Sequence, residues 1–284
     1  MSEMQVVIHT SKQPLLHPAS LFRALWRDLV SSRNVAYEMM TRDLRSQYRT
    51  SVVGVLIPLL PALTTAAWAI LFRDAHLINV GAVDMPYPFF VLCGMMLWAV
   101  FLESMDAPIS GVQAEQGLLS KANIPPEAVT LAHLGQVLIN FGVKALLIVI
   151  AAVLYRVRVP WTIVFAPVGL ALIVALGAAI GLILAPINLL YTDVAKALPI
   201  ITTFWFFTTP IIFTSPTQGW AAFLMQRVNP MTPLLTTTRE LAFGGGLSML
   251  RGAGAATTFN LCLLTAGAVF HRIAMPIVID RANA

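Results

Sequence analysis

Charged residues cluster in some parts of the chain and vanish from others. Within TRDLRSQYR (41–49), Arg42, Asp43, Arg45 and Arg49 stand close together, and residues 51–72 then carry no charge. A helix that crosses a hydrocarbon core of about 30 Å needs roughly 20 apolar residues rising about 1.5 Å each. Residues 51–72 therefore read as a first span. Residues 87–102, continued past Glu103 toward Ile109, read as a second. A third covers 128–155, interrupted only by Lys144, and an uncharged fourth covers 161–190. A fifth covers 197–213 and a sixth 252–270.

Two regions break this pattern. Residues 214–251 are moderately apolar but punctuated by Pro216, Gly219, Pro230, Pro233 and Gly244 to Gly246. Unpaired backbone groups are not tolerated in lipid, so such a stretch must pack on protein or line a cavity, and short re-entrant or interfacial helices fit it best. Before the first span, Leu21, Phe22, Leu25, Trp26, Leu29 and Val30 recur at helical spacing, with Arg23, Arg27 and Asp28 opposite. Tyr37, Met40, Leu44 and Tyr48 make a second stripe. Amphipathic, arginine-bearing helices beside a span lie in the membrane interface. The predicted fold is thus all-α: six transmembrane helices, an N-terminal amphipathic interfacial segment (1–50) and re-entrant helices (214–251) within a membrane domain covering 51–284.

Composition agrees with a membrane protein. Of 284 residues, 58% are hydrophobic and 11% charged, with a mean hydropathy of +0.79, whereas a soluble domain carries about 25% charged residues. The net charge of +5 is explained by orientation signals and anionic lipid, without nucleic acid. Lys12, Arg23, Arg27, Arg33, Arg42, Arg45 and Arg49 precede the first span, and the first connection holds only Arg73. The positive-inside rule then places the N-terminus in the cytoplasm, and six spans return Arg272, Arg281 and the C-terminus to the same side. Arg156 and Arg158 fall outside in this arrangement, against the bias. Cys93 and Cys262 lie in apolar runs without metal-ligand spacing, and no cleavable leader is read in the charged first fifty residues.

Catalytic chemistry is not visible. No phosphate-cradling G-x-x-x-x-G-K-[ST] loop is present, and His9, His17, His76, His133 and His271 are scattered. Glu103 and Asp106 share a helix face near a span end, where hydrated acids are the common case. Lys144 is the one cation well inside a span, either functional or snorkelling to an interface. The run Phe204, Trp205, Phe206 and Phe207, with Trp68 and Trp98 on other spans, offers aromatic faces that pack on the apolar faces of sugar rings, though single rings in membranes more often face lipid.

Four stretches resemble one family, the permease subunits of polysaccharide-exporting ABC transporters of the ABC-2 type, which include O-antigen, capsule and teichoic acid exporters. TRDLRSQYRTSVVGVLIPLLPAL is similar to the family's entry segment. LLSKANIPPEAVTLA resembles its cytoplasmic coupling segment, with Lys121 and Pro125 matching. NLLYTDVAKALPIITTFWFFTTPIIF resembles the fourth-to-fifth connection and fifth span, with Asp193, Pro199 and Pro210 matching, although Thr192 stands where the family often has Arg. NPMTPLLTTTREL resembles the external re-entrant motif, with Asn229, Pro230, Pro233 and Arg239 matching.

The resemblance implies a non-enzymatic transport subunit that binds no cofactor itself. ATP and Mg would sit on a separate ATPase chain, present in two copies beside a second copy of this permease. It implies export of a lipid-linked polysaccharide across a bacterial inner membrane. The coupling segment (110–127), short, polar and ended by Pro125 and Pro126, would dock on the ATPase through Gly117, Leu118, Leu119, Lys121 and Asn123, with Asp193 nearby. Arg42, Asp43, Arg45, Tyr48 and Arg49 would form the entry. Phe204, Trp205, Phe206, Phe207, Trp68 and Trp98 would line the path. Asn229, Pro230, Arg239 and Glu240 would belong to the external region, the last two near a hydrated outer mouth. A permease for a smaller amphiphile and, further off, a membrane-embedded transferase are the alternatives.

Overall fold

The computed structural model of the chain describes residues 18–50, 59–76, 80–81, 83–121, 124–216 and 218–282, with all their side chains except those of 18–26, 28–29, 47–50, 120–121 and 282. The described elements are helical: α1 (Pro18–Thr50), α2 (Leu60–Asp74), α3 (Tyr87–Ala114), α4 (Gln116–Lys121), α5 (Pro126–Leu154), α6 (Ala166–Leu190), α7 (Asp193–Phe207), α8 (Gly219–Phe223), α9 (Met231–Phe243) and α10 (Leu250–Ala282). A 3-10 turn, Trp161–Phe165, leads into α6, and a π-helical turn, Leu224–Val228, extends α8. Among the described residues, α3, α5, 161–190 and α10 are long and apolar enough to cross a membrane.

Several predicted boundaries change. The N-terminal stripes belong to one continuous helix, α1. Its buried face is Ser32, Ala36 and Met39, packed on α5, while Tyr37 is exposed and lies off the packed face. Small residues decide this face: a Cβ at Gly135 of α5 would come within 2.5 Å of the Met40 sulfur. The first predicted span is described only as the 15-residue α2, and its residues 51–58 lie outside the described residues. The predicted fifth span stops short. α7 ends at Phe207, and Thr208 to Phe213 leave the helix. Pro210 has no N–H to donate and disfavours α conformation at Thr209 before it. Conversely, α3 absorbs Pro108 and Gly111, so the only separate helix within the predicted segment 110–127, among the described residues, is the six-residue α4, before α5 begins at Pro126. The sixth helix runs on past Phe270 to Ala282.

α3 is the centre of the bundle and packs on α2, α5, α6 and α9. Where lipid replaces water, no hydrophobic drive pulls helices together, and close backbone contact between small residues takes over. Gly177 and Gly181 of α6 serve this purpose, since Cβ atoms there would sit 2.6 Å from the Phe101 carbonyl and 2.3 Å from that of Met105. Asn260 of α10 donates to the Leu172 carbonyl of α6 at 2.7 Å, and His271 meets the Leu182 carbonyl at 3.3 Å. Both contacts advance together along the chain, so α6 and α10 run parallel. α7 makes the return between them. The stretch 208–249 consequently begins and ends at the same end of the bundle, where Thr214 N–H donates to the Val80 carbonyl just before α3.

Candidate functional site

At the end of the bundle that holds α4, polar side chains tie the helices to one another. Arg42 of α1 donates through Nε to Asp43 at 2.8 Å and through Nη2 to Glu115, the residue between α3 and α4. Hydrogen bonds to Asp43 and then Glu115 raise the Arg42 pKa above its ordinary value. The other oxygen of Asp43 accepts from Gln136 of α5 at 3.2 Å. Buried Asn188, near the end of α6, donates to Gln113 in the last turn of α3 at 3.3 Å. Its carbonyl oxygen accepts from the backbone N–H of Ala195 in the first turn of α7 at 2.9 Å. Asn188 therefore connects the turn that leads to α4 with the turn that begins at Asp193. Asp193 itself is exposed and pairs with Lys196 at 3.3 Å.

Within the bundle, Lys144 of α5 is 1% exposed and reaches both carboxylate oxygens of Glu103 on α3 at 2.7 Å. The lysine does not snorkel, and Glu103 is not merely hydrated; Asp106, one turn on, is exposed. Pairing with the partly exposed Glu103 offsets part of the cost that the lysine would carry alone in a low-dielectric interior.

The aromatic residues divide into two groups. Trp98, Phe101, Trp205 and Phe206 form one cluster, with ring centroids 5.1 Å to 6.4 Å apart. Phe204 and Phe207, 71% and 60% exposed, stand on the outer face of α7. Trp68 is also exposed, on α2 beside Phe72.

At the opposite end, buried Asn229 organises the break after α7. Its oxygen accepts from Trp205 Nε1 and from the Met231 N–H, both at 2.9 Å. Its amide donates to the Thr208 carbonyl at 3.0 Å and to Thr209 Oγ1 at 2.9 Å. With both sides of the amide engaged, the helix end that Pro210 leaves open is closed by a side chain 20 residues further along. Pro230 adjoins it at the start of α9. Arg239 of α9 is 4% exposed, so it is not a freely hydrated surface residue. Its guanidinium lies 3.8 Å from the Phe90 ring centroid, and Nη2 donates weakly to the carbonyls of Pro210 and Ile211 at 3.5 and 3.4 Å. Gly94 admits it, since a Cβ there would come 2.4 Å from Nη2. Arg239 and Glu240 border a cavity of about 470 Å³, together with Asp84, Phe213 and Gln226. Glu240 accepts from the N–H and hydroxyl of Ser248.

The candidate residues thus fall into an α4-end group and a far-end group. Gly117, Leu118 and Leu119 lie on α4, Leu119 buried and Gly117 exposed. Lys121 ends that helix, and Asn123 lies outside the described residues. Arg45 is exposed on α1, while the side chains of Tyr48 and Arg49 lie outside the described residues. Sequence reasoning missed Asn188, Gln113 and Glu115. The signal for Asn188 was present, because it is a lone amide in a long uncharged run.

A sequence profile of ABC-2 type transporters matches residues 35–243. The chain is 27% identical over 222 residues to an O-antigen export system permease protein, RfbA, of Myxococcus xanthus, which covers 77% of this chain and 84% of that protein. It is 25% identical over 248 residues to the polysialic acid transport protein KpsM of Escherichia coli, covering 82% of this chain and 91% of that one.

Proposed function

The chain belongs to the ABC-2 type transporter family, and from that premise we propose that it is the membrane permease subunit of an ATP-driven exporter that moves a lipid-linked polysaccharide, O-antigen-like or capsule-like, across the cytoplasmic membrane. The observation that carries this reading is similarity along most of the chain to two permeases or transport proteins named for surface polysaccharides.

The finer reading extends this proposal. α2 and α7 complete a six-span frame, with both termini and α4 on the cytoplasmic side. The stretch 208–249 dips into the outer leaflet and returns without crossing. Two ATPase copies, which hold ATP and Mg, press on α4 and on the turn at Asp193 in a dimer of this chain. Asn188 supports that assignment, because it bonds to the last turn of α3, which leads to α4, and to the first turn of α7, which begins at Asp193. α1 guards the entry, and Arg42 passes its position to Glu115 at the start of the coupling element. The exposed rings Phe204, Phe207 and Trp68 face the path between two copies, with Trp98, Trp205 and Phe206 backing them.

Deleting the chain from its host should leave lipid-linked glycan accumulated inside the cell, and restoring it should return glycan to the surface only when the partner ATPase is active. Normal surface glycan in the deletion strain would overturn the reading.

A further inference from the structure

The far end of the bundle holds a second cavity, larger than the one beside Arg239, at about 750 Å³. It is a groove between the π-helical turn 224–228, the Pro230–Pro233 start of α9 and the first turns of α10. One side of its lining is apolar, with Pro230, Pro233, Ala256 and Phe259; Gln226, Asn229 and Ser248 also line it, and two arginines, Arg227 and Arg251, border it. Gly252 lets the two walls meet, since a Cβ there would already press on Pro233 at 3.3 Å.

Three observations say what this groove holds. First, exposed apolar side chains flank it on both sides: Trp220, Phe223 and Val228 before it, Leu250 and Phe259 beyond it. Such a rim belongs in hydrocarbon, so a chain lying on this wall must itself be apolar. Second, both arginines are exposed, and among the described residues neither has an ion pair or hydrogen bond. Glu240 is held by Ser248 and borders the neighbouring cavity, not this one. Third, Arg251 stands in the first turn of the 33-residue α10, where the positive end of the helix dipole opposes a cation. Two unpaired cations and a helix N-terminus at the head of an apolar groove complement a ligand with a negative head and a hydrocarbon tail.

We propose that this groove binds an anionic phospholipid of the leaflet that borders it, the phosphate between Arg227 and Arg251 and an acyl chain along Pro233, Ala256 and Phe259. The proposal needs only that the chain resides in a membrane, so it stands or falls apart from the identity of the exported glycan. The lipid neutralises the arginine pair and fills the space between the 208–249 region and α10, so it acts as a wedge that holds the two together.

The test counts bound lipid by native mass spectrometry on the full chain, purified with its ATPase and exposed to mixed micelles of phosphatidylglycerol or phosphatidylcholine. Phosphatidylglycerol is expected to be retained in preference to phosphatidylcholine. Each arginine near an anionic lipid contributes about 1 kcal/mol, so R227Q and R251Q should each weaken retention about fivefold, and the double variant roughly 30-fold. Because both side chains are exposed, the thermal midpoint without added lipid should not move. Inorganic phosphate should fail to displace the lipid. Unchanged retention in the double variant, equal retention of the two lipids, or displacement by phosphate alone would each overturn the proposal, the last by reducing the groove to an ion site.

Discussion

Lys144 and Glu103, 41 residues apart in sequence, meet at 2.7 Å across the α3–α5 contact, and the lysine has almost no exposed surface. Removing one member of such a pair strands a charge, which costs about 3–5 kcal/mol, whereas replacing both with apolar groups of similar size is near neutral. K144M alone and E103L alone are therefore expected to lower the unfolding midpoint in detergent sharply. The double variant should recover most of the loss. A double-mutant cycle on the unfolding free energy checks this, and additive losses would show that the two side chains do not act as a pair.

The Arg42–Glu115 contact is partly exposed, so its worth to stability is on the order of 1 kcal/mol or less. Its worth to transport is predicted to be larger, because it joins α1 to the residue between α3 and α4, the element proposed to meet the ATPase. R42E and E115R should each reduce export while leaving the melting temperature nearly unchanged, and the charge-swapped double variant should restore export. Wild-type export from both single variants would remove any role for the contact beyond packing.

Asn229 satisfies three groups at the end of α7, among them the indole N–H of Trp205, and the Met231 N–H that starts α9. Leaving buried donors and acceptors unpaired costs about 1–3 kcal/mol each. N229A should destabilise the chain by at least about 3 kcal/mol and make the 208–230 backbone exchange hydrogen faster, measured by mass spectrometry. N229D keeps the acceptor for Trp205 and Met231 and should cost less than N229A.

The two groups of aromatic residues should respond differently to truncation. F204A and F207A remove exposed rings and are expected to reduce glycan export with little effect on stability. W98A opens a cavity in the buried cluster and should cost about 3–5 kcal/mol. Parallel export and thermal-shift measurements separate the outcomes; full export from both F204A and F207A would leave those rings facing lipid.

The path of 208–249 is open to direct labelling. Cysteines at Gln218 and Gly246 should react alike with an impermeant thiol reagent added outside. Gly246 suits the purpose, since a Cβ there meets nothing within 4 Å, whereas Gly245 has φ +129. Labelling of the two from opposite sides would add a crossing and end the six-span frame.

What was legible in the sequence was whatever depends on local runs. The long apolar stretches 87–109, 128–155 and 161–190, of which only the last is free of charge, became α3, α5 and α6 because length and hydropathy decide them. The breaks at Pro216, Gly219 and Pro230 became short helices for the same kind of reason. Pro210 was visible too, yet the apolar residues after it masked its effect on α7. What could not be read was partnership. The sequence shows Lys144 as a lone cation and Glu103 as a surface acid, since nothing local says that two helices will bring them together. The FWFF run shows four equivalent rings, and only the position of Asn229 and Trp98 turns Trp205 and Phe206 inward. Arg239 read as hydrated for a similar reason, because its shelter is Phe90 and the space left by Gly94.

α7 has 15 residues, about 22 Å of helix against a hydrocarbon core of about 30 Å. If α7 crosses the membrane as proposed, a bilayer beside so short a helix must thin, at a cost of a fraction of a kcal/mol for each ångström of mismatch. Wherever two copies set their α7 helices side by side, the permeability barrier itself becomes shallower. In the proposed dimer, a hydrophilic polymer threaded there would meet a pinch in the oil rather than its full depth, and membranes of longer-chain lipids should slow its passage before they unfold the protein.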